Sequence, residues 1–184
     1  MPTARDSLLD AAFAALGSGP WAAVRMVEVA AAAGVSRQTL YNEFRSKDGL
    51  ARALARREAE AYLAGVDRAL DLAGRDCGDP GECFAAAAGW TLRSARRSPL
   101  VRAGLTGPRA HRPPLPDLVG ALHLRAVDAL EAGFPQLGRD GVAWACEAAI
   151  RLTLSYVIAP APSDEDACLR VAQLVRSLLE RPAG

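Results

Sequence analysis

The sequence predicts an all-α protein, and three observations support that expectation. Alanine dominates a hydrophobic fraction of 51%, and runs of β-branched or aromatic residues are few, a composition that favours helices over strands. Apolar residues recur at i, i+3, i+4 and i+7 in several segments, which is the period of a helix with one buried face. Glycine and proline clusters separate those segments, as expected where helices end. The chain has 184 residues, enough for one large domain or two small ones.

The first segment carries a helix start signal. Thr3 and Asp6 form a capping-box pattern ahead of an apolar stripe, and the stretch from Gly17 to Pro20 ends the helix. We expect this helix to cover the back of the two helices that follow it. Together they predict a three-helix domain over residues 1–46, with Trp21 at its edge and a core of Leu9, Phe13, Leu16, Val29, Val35, Leu40 and Phe44.

Two short helices with a tight break between them are predicted next. The first has its apolar residues on one stripe, formed by Met26, Val29, Ala30 and Ala33. Gly34 follows as a residue suited to the left-handed conformation that closes a helix. The side chain of Ser36 can accept from the free N–H groups of a new helix, which can run through Phe44. This pattern indicates a helix-turn-helix.

The second of these helices has one apolar side and one polar side. At about 100° per residue, Leu40 and Phe44 lie together and face inward. The opposite side and its flanks present Arg37, Gln38, Thr39, Tyr41, Asn42 and Arg45, with Glu43 as the one acid. A short helix held by its back, with such side chains in front, has the chemistry to lie in the major groove of DNA.

The stretch from Ala30 to Lys47 contains the pattern A-x-x-A-G-V-S-x-x-T-L-Y-x-x-F-x-S-K. The pattern is carried by Ala30, Ala33, Gly34, Val35, Ser36, Thr39, Leu40, Tyr41, Phe44, Ser46 and Lys47. It resembles the DNA-binding motif of TetR-type transcriptional regulators, and the resemblance covers roughly the first fifty residues. Beyond them, the chain is similar to that family only in length, helical character and layout.

The resemblance implies particular DNA contacts. Tyr41 and Lys47 are expected to contact phosphates, and the resemblance places Arg37, Thr39 and Asn42 near base edges; geometry adds Gln38. One residue departs from the family pattern, because Glu43 stands where a His commonly contacts the DNA backbone. A carboxylate would repel phosphate, so either Glu43 turns aside to pair with a neighbouring Arg or the protein docks differently.

Positive charge is concentrated in the N-terminal part of the chain. Residues 1–57 hold eight Arg or Lys against five acids, a balance of +3, whereas residues 58–184 hold fourteen against sixteen, a balance of −2. This asymmetry favours DNA as the partner of the first domain. It is modest, however, so we expect binding to need two such domains acting together.

A second domain is predicted over residues 47–184, again from helices. The absence of proline from Ser46 to Ala73 predicts one helix of about 27 residues, which would join the domains either as a plain connector or as a lever. The four prolines within residues 108–116 predict a surface loop. The other expected helices lie at about 82–98, 99–107, 118–133, 139–159 and 163–179.

The final two helices are the most apolar pair. On the last one, Leu174, Val175 and Leu178 form a stripe too large to leave in water. Resemblance to TetR-type regulators implies that the last two helices pack against their copies in a homodimer. A two-fold dimer can place two recognition helices in successive major grooves about 34 Å apart, which predicts an inverted-repeat operator.

The middle helices carry large aromatic and aliphatic residues that either fill a solid core or line a pocket. The family resemblance implies a pocket for a small, apolar or amphipathic effector that releases DNA, and hence an effector-relieved repressor. Candidate polar anchors are Arg93, His123 and Tyr156. The full set of candidate pocket residues is Phe84, Trp90, Arg93, Leu105, Leu118, Leu122, His123, Trp144 and Tyr156.

Other functional classes have less support. The sequence contains no phosphate loop, dinucleotide fingerprint, nucleophile elbow or His–carboxylate metal spacing, so we expect neither an enzyme nor a cofactor. The cysteines at 77, 83, 146 and 168 show no C-x-x-C spacing, which argues against zinc and predicts reduced thiols. A redox role for Cys77 and Cys83 stays open. The alternative function is a helical protein-interaction adaptor, which would explain the apolar bundle but not the acid-poor helix face.

The expected location is the cytoplasm. Residues 1–10 are polar and do not resemble a signal peptide, and the longest apolar region, 142–159, is interrupted by Glu147 and Arg151. No membrane partner is therefore expected.

Overall fold

A computed structural model describes residues 3–76, 78–107 and 116–180 of the chain. These residues form helices and turns with no strand, which confirms the all-α prediction. They divide into two compact units, one comprising residues up to Glu58 and the other beginning at Ala59. The first unit therefore continues past the domain boundary predicted at residue 46.

Nine α-helices and one short 3₁₀ turn account for nearly all of the described residues. The 3₁₀ turn spans Trp21–Ala23. The helices are α1 (Ala4–Ser18), α2 (Met26–Ala32), α3 (Arg37–Phe44), α4 (Lys47–Asp76), α5 (Pro80–Arg97), α6 (Pro99–Thr106), α7 (Leu118–Gly133), α8 (Arg139–Ile158) and α9 (Asp164–Leu179). Each predicted helix is present, with ends within a few residues of those expected from glycine, proline and capping residues.

Side-chain caps fix where several helices begin. Thr3 accepts from the backbone N–H of Asp6 at 3.1 Å, and the Asp6 carboxylate accepts from the Thr3 N–H at 3.1 Å, so the predicted capping box is present. Ser163 accepts from the N–H of Asp166 at the start of α9 at 3.0 Å. Ser98 caps α6, in which Pro99 takes the first position, where its missing N–H costs nothing.

The first unit has a small aliphatic core between α1, α2, α3 and the first turns of α4. Within it, the predicted Leu9, Val29, Leu40 and Phe44 are buried, whereas Phe13, Leu16 and Val35 are half-buried. Leu8 is fully buried although the spacing of the α1 stripe did not include it. The chain turns between α2 and α3 at Gly34, whose φ of 68° is the predicted left-handed conformation.

In the second unit, α4 and α5 are joined by a close approach and a buried polar pair. A Cβ on Gly65 would lie 2.1 Å from the Trp90 indole, so the ring occupies space that only glycine leaves free. The Trp90 Nε1–H donates to the carbonyl of Tyr62 at 2.9 Å. The Tyr62 hydroxyl is hydrogen-bonded to Thr91 at 3.0 Å, and burial raises the pKa of Tyr62 to about 12, so the hydroxyl stays protonated.

Two ion-pair clusters connect α5 to α9. Arg176 donates from Nε to Asp79 at 2.8 Å and also pairs with Glu82. The Nη1 and Nη2 groups of Arg96 each donate to one carboxylate oxygen of Asp164. The hydrogen bond from Arg176 lowers the pKa of Asp79, and that from Arg96 lowers the pKa of Asp164. Both carboxylates therefore favour the folded state more when they are charged.

Helix α8 is long and apolar enough to cross a membrane, judged by length and composition alone. Within the second unit, however, Val142, Cys146, Ala149 and Ile150 form a buried side of this helix. Burial of this side in a helical core accounts for part of that composition.

The lowered pKa of Asp79 predicts a pH-dependent loss of stability. Asp79→Asn should lower the melting temperature by a few degrees at neutral pH, since it removes the charged partner of Arg176. Because the folded pKa lies below the unfolded value, the parent loses this contribution as pH falls through the folded pKa. The two melting curves should therefore converge at low pH.

The measurement is thermal unfolding followed by circular dichroism from neutral pH to about pH 2, over which a carboxylate titrates. Asp128→Asn is the matched control, because Asp128 is exposed and forms no salt bridge within the described part of the chain. A constant difference between Asp79→Asn and the parent at every pH would contradict the assignment.

Candidate nucleic-acid interface

Helix α3 begins at a tightly capped turn. The Ser36 hydroxyl oxygen accepts from the backbone N–H of Thr39 at 3.0 Å and is hydrogen-bonded to the Thr39 hydroxyl at 2.9 Å. These bonds satisfy one of the free amides of the first turn and fix the direction in which α3 leaves the turn. Thr39 is half-buried and serves partly as a structural residue of the cap.

The two sides of α3 have opposite environments. Leu40 is fully buried and Phe44 is 5% exposed, so the apolar side packs into the first unit. The other predicted base-reading residues, Arg37, Gln38 and Asn42, are all exposed. The structure thus brings together on one surface the residues that the sequence predicted to face DNA.

Gln38 and Asn42 are hydrogen-bonded to each other on the exposed side of α3. The Gln38 side-chain N–H donates to the Asn42 side-chain oxygen at 3.0 Å, one helical turn away. Each amide keeps a further donor or acceptor for another molecule. Side-chain amides are the groups that pair in two places with adenine in the major groove.

The two predicted phosphate contacts differ in their surroundings. Tyr41 is 41% exposed, and its hydroxyl can reach an external acceptor. Lys47 is half-buried, because its ammonium donates to the carbonyl of Ala22 at 2.9 Å and lies 5.8 Å from the centre of the Trp21 ring. One of its three N–H donors is therefore engaged by the 3₁₀ turn, and the other two are available.

Glu43 is paired with a cation on α1. A guanidinium nitrogen of Arg5 lies 3.5 Å from the Glu43 carboxylate, and the same group lies 4.7 Å from the centre of the Phe44 ring. Of the two alternatives raised by the sequence, the structure therefore has the one in which Glu43 pairs with a neighbouring Arg. Arg5 had no periodic signal in the sequence and was not predicted as part of the site.

A strained turn ends α3. Arg45 has φ 65° and ψ −38°, and the N–H of Ser46 donates to the carbonyl of Phe44 at 2.7 Å, which makes a γ-turn with positive φ. The same carbonyl is approached by Gly49, on which a Cβ would lie only 1.9 Å away. The sequence placed Ser46 and Lys47 at the start of a new helix but gave no sign of this turn.

The candidate pocket residues of the second unit differ in their exposure. Four are buried in its apolar core, namely Phe84, Leu105, Leu118 and Leu122. Trp90 and the exposed Arg93 line a surface groove of about 450 Å³ beside Cys168. Tyr156 is half-buried, as is His123, whose Nε2 lies 3.3 Å from the carbonyl of Ala143.

Two predicted positions need correction. Trp144 is 59% exposed, because it faces away from the buried side of α8, so it does not line an internal pocket. Val175 is fully buried among the core residues of its own unit and is not available to a second subunit. Leu174 and Leu178, the other two residues of the predicted interface stripe, are half-buried.

The described cysteines are free thiols. Cys83 and Cys146 are buried and Cys168 is half-buried. Burial raises the pKa of Cys146 to about 12 and also raises that of Cys168, which disfavours the reactive thiolate. Cys77 lies outside the described residues, so the redox hypothesis for Cys77 and Cys83 stays a prediction.

A capped recognition helix with an exposed polar face, carried by a small helical unit and followed by a larger one, defines a helix-turn-helix transcriptional regulator. Residues 8–54 match the model of bacterial regulatory proteins of the tetR family, and residues 79–177 match that of the bacterial tetracycline repressor C-terminal domain. The chain belongs to the TetR family. Members of this family are DNA-binding regulators rather than enzymes.

Similar proteins include regulators with solved structures. The chain is 33% identical to the HTH-type transcriptional regulator AlkX of Mycobacterium tuberculosis in an alignment of length 187, which covers 96% of this chain and 85% of AlkX. The TetR family repressor AlkX of Dietzia sp. strain DQ12-45-1b, implicated in biodegradation of n-alkanes, is 28% identical with a TM-score of 0.57, covering 95% of this chain and 96% of that one.

A tetR-family regulator from Streptomyces coelicolor has a TM-score of 0.70 at 16% identity, covering 97% of this chain and 82% of that one, and shows the shared fold.

Gly49 is predicted to be essential for the position of α3. Gly49→Ala should destabilise the protein by about 1–3 kcal/mol, because the new methyl group meets the backbone oxygen of Phe44 rather than a flexible side chain. Urea unfolding measures this loss, and affinity for DNA should fall with it.

Gly17→Ala is the matched control within the same unit, since a Cβ there meets no atom within 4 Å. It should leave stability unchanged or raise it by up to about 1 kcal/mol. Equal stability of the two variants would show that Gly49 is not closely packed.

Proposed function

We propose that the chain is a cytoplasmic homodimeric repressor that binds an inverted-repeat operator and is released by a small, largely apolar effector. In this proposal residues 1–46 form the DNA-binding domain, and residues 47–184 form the domain that binds the effector and the second subunit, with Lys47 adding a DNA contact at the start of α4. The observation that carries the DNA part is the outward side of α3, where Arg37, Gln38 and Asn42 are exposed while Leu40 and Phe44 anchor the helix.

The proposed contacts follow from the chemistry of each side chain. Arg37, Gln38 and Asn42 read base edges, because guanidinium and amide groups match guanine and adenine in the major groove. Thr39 is half-buried, so it contacts a base edge only with the exposed part of its short side chain. Tyr41 and Lys47 donate to phosphates and hold α3 in register.

Dimerisation is supported by the charge balance and by apolar residues on α8 and α9. A net charge of +3 in the first 57 residues provides limited phosphate attraction, and two linked domains multiply it. Ile158 is 64% exposed and Leu169 is 52% exposed, and Leu174 and Leu178 keep part of their surface accessible. These side chains support a second copy of the chain as partner of the last two helices.

An apolar effector is supported by the composition of the second unit. In this proposal Phe84, Leu105, Leu118 and Leu122 are the candidates for hydrocarbon contacts. The candidates for a polar end are the half-buried His123 and Tyr156, with Arg93 at the surface groove. The relative from Dietzia is implicated in n-alkane biodegradation. We therefore propose n-alkanes or linear compounds derived from them as the effector class.

The operator prediction is tested by footprinting the purified protein on the DNA upstream of its own gene. Two protected half-sites, one helical turn or a multiple of it apart, are expected for a two-fold dimer. Destroying one half-site should lower affinity strongly, and affinity should fall steeply with salt. Salt-insensitive binding, or full affinity for a single half-site, would contradict the dimeric operator complex.

Single substitutions on α3 separate base reading from phosphate binding. Gln38→Ala or Asn42→Ala should reduce discrimination between operator and scrambled duplex by about 1–3 kcal/mol, because each removes a base contact. Tyr41→Phe should weaken binding to both duplexes alike, since it removes a backbone donor. Fluorescence anisotropy measures both affinities. Unchanged discrimination in both amide variants would exclude them as base readers.

The effector prediction is tested by thermal melting with a panel of n-alkanes and their oxygenated derivatives. A true effector at about a hundredfold excess over its Kd should raise the melting temperature by roughly 5–10 °C. It should also weaken operator binding by about 5–150-fold. Small polar compounds serve as controls. A panel that changes neither quantity would remove the effector from the proposal.

A further inference from the structure

Arg45 has a backbone conformation that is unfavourable for any residue with a side chain. With φ 65° and ψ −38° it is the central residue of the γ-turn between α3 and α4, and it is the one non-glycine residue with positive φ in the described part of the chain. Side chains rarely adopt this region, because the Cβ crowds the neighbouring carbonyl, whereas glycine enters it without that clash. An arginine here is therefore not explained by the fold.

The turn itself requires no side chain at this position. It is closed by the backbone bond from Ser46 to the Phe44 carbonyl at 2.7 Å and by the bond from the Arg45 N–H to the Tyr41 carbonyl at 2.9 Å. Gly49 packs against the same Phe44 carbonyl from α4. Glycine at position 45 would preserve all of these contacts.

The Arg45 side chain is exposed and unpaired. It forms no salt bridge or side-chain hydrogen bond with the described residues, whereas the neighbouring Glu43 is held by Arg5 at 3.5 Å. The one acid of α3 is therefore engaged elsewhere, and Arg45 keeps all five of its N–H donors free.

The position of Arg45 suits a particular partner. It lies one turn beyond Asn42 and eight residues after Arg37, a separation of about 12 Å along a helix axis. The major groove is also about 12 Å wide. When the first part of a recognition helix reads base edges, the end of that helix lies near the phosphates that border the groove.

We propose that Arg45 is a DNA-backbone contact, in which its guanidinium binds a phosphate at the rim of the groove that α3 enters; this inference rests on the proposed docking of α3 in DNA. The strained turn places Arg45 at the C-terminal end of the recognition helix, whereas Arg37 is at its N-terminal end. A guanidinium matches two phosphate oxygens at once, which fixes the depth and angle of the helix as well as adding affinity.

A helix C-terminus also attracts cations, which gives Arg45 an alternative structural role. The two roles differ in what glycine would do. If Arg45 only stabilised the helix end, Arg45→Gly would have a lower melting temperature than the parent. If Arg45 acts on DNA, Arg45→Gly relieves strain and weakens binding, so stability and affinity change in opposite directions.

The test compares the full-length parent with Arg45→Gly, Arg45→Lys and the control Arg68→Ala, which removes an exposed positive charge from the second unit. Melting temperature is measured for each. Affinity is measured by fluorescence anisotropy, over a series of salt concentrations, for a duplex with the upstream DNA and for a scrambled duplex of equal length.

Arg45→Gly should melt at the parent temperature or up to about 4 °C above it. It should bind both duplexes roughly three- to tenfold more weakly and reduce the salt dependence of log K by about 0.9 per bound subunit. Arg45→Lys should keep the salt dependence, because it keeps the charge, and Arg68→Ala should match the parent in both measurements.

Three results would overturn the proposal. An unchanged salt dependence in Arg45→Gly would show that no phosphate contact was lost. A clearly lowered melting temperature would assign Arg45 to the fold. A loss of affinity confined to the upstream duplex would make Arg45 a reader of bases rather than of the backbone. If the parent itself prefers neither duplex, the operator proposal fails separately.

Discussion

The burial of Leu40 and Phe44 is the constraint on which the proposed DNA-binding surface depends. Leu40 is fully buried and Phe44 is 5% exposed, so α3 cannot rotate about its axis without exposing both side chains. Burying a side chain of this size contributes about 1.5–3 kcal/mol, a large part of the stability of a small domain. With that side fixed, the helical period leaves Gln38 and Asn42 on the outside. The orientation of the polar face is thus a consequence of apolar packing.

Electrostatics around α3 then determine which groups can meet a polyanion. Glu43 would repel phosphate if it were free, but Arg5 lies 3.5 Å from it and also covers the Phe44 ring. An exposed pair of this kind adds little to stability. Its effect is to offset the negative charge of α3, while Arg37 on the same helix has no ion-pair partner among the residues that the structure describes. This pairing makes the departure from the family pattern compatible with DNA binding.

The sequence predicted the helices well because helix ends have local causes. Thr3, Ser36 and Ser163 cap helices as expected, and Gly34 turns the chain with positive φ.

Surface assignments were less successful where a helix is buried on more than one side. Val175 belongs to an apolar stripe, but α9 packs against both α5 and α8, so that residue is enclosed by its own chain. Trp144 shows the reverse, since its size suggested burial whereas its position on α8 leaves it 59% exposed. The γ-turn at Arg45 could not be predicted, because it depends on the close approach of Gly49 to the Phe44 carbonyl.

Release of DNA by an effector, as proposed, requires the second unit to have two arrangements with different affinities for that ligand. The packing of α4 against α5 is a suitable element, because Trp90 rests on Gly65 with no free space and donates to the Tyr62 carbonyl. Such a contact is either made or broken, since a well-packed interface does not deform gradually.

Helix α4 also carries Gly49, which holds the turn after α3. A ligand that changed the packing of Trp90 would therefore act on the same helix that fixes the end of the recognition helix. To shift the second unit from almost entirely one arrangement to almost entirely the other, the ligand would have to bind the second arrangement more tightly by about 5.5 kcal/mol. Hydrocarbon contacts that form in only one of the two arrangements can supply that preference at roughly 0.8 kcal/mol per buried CH₂, which favours a chain of several carbons over a small polar effector.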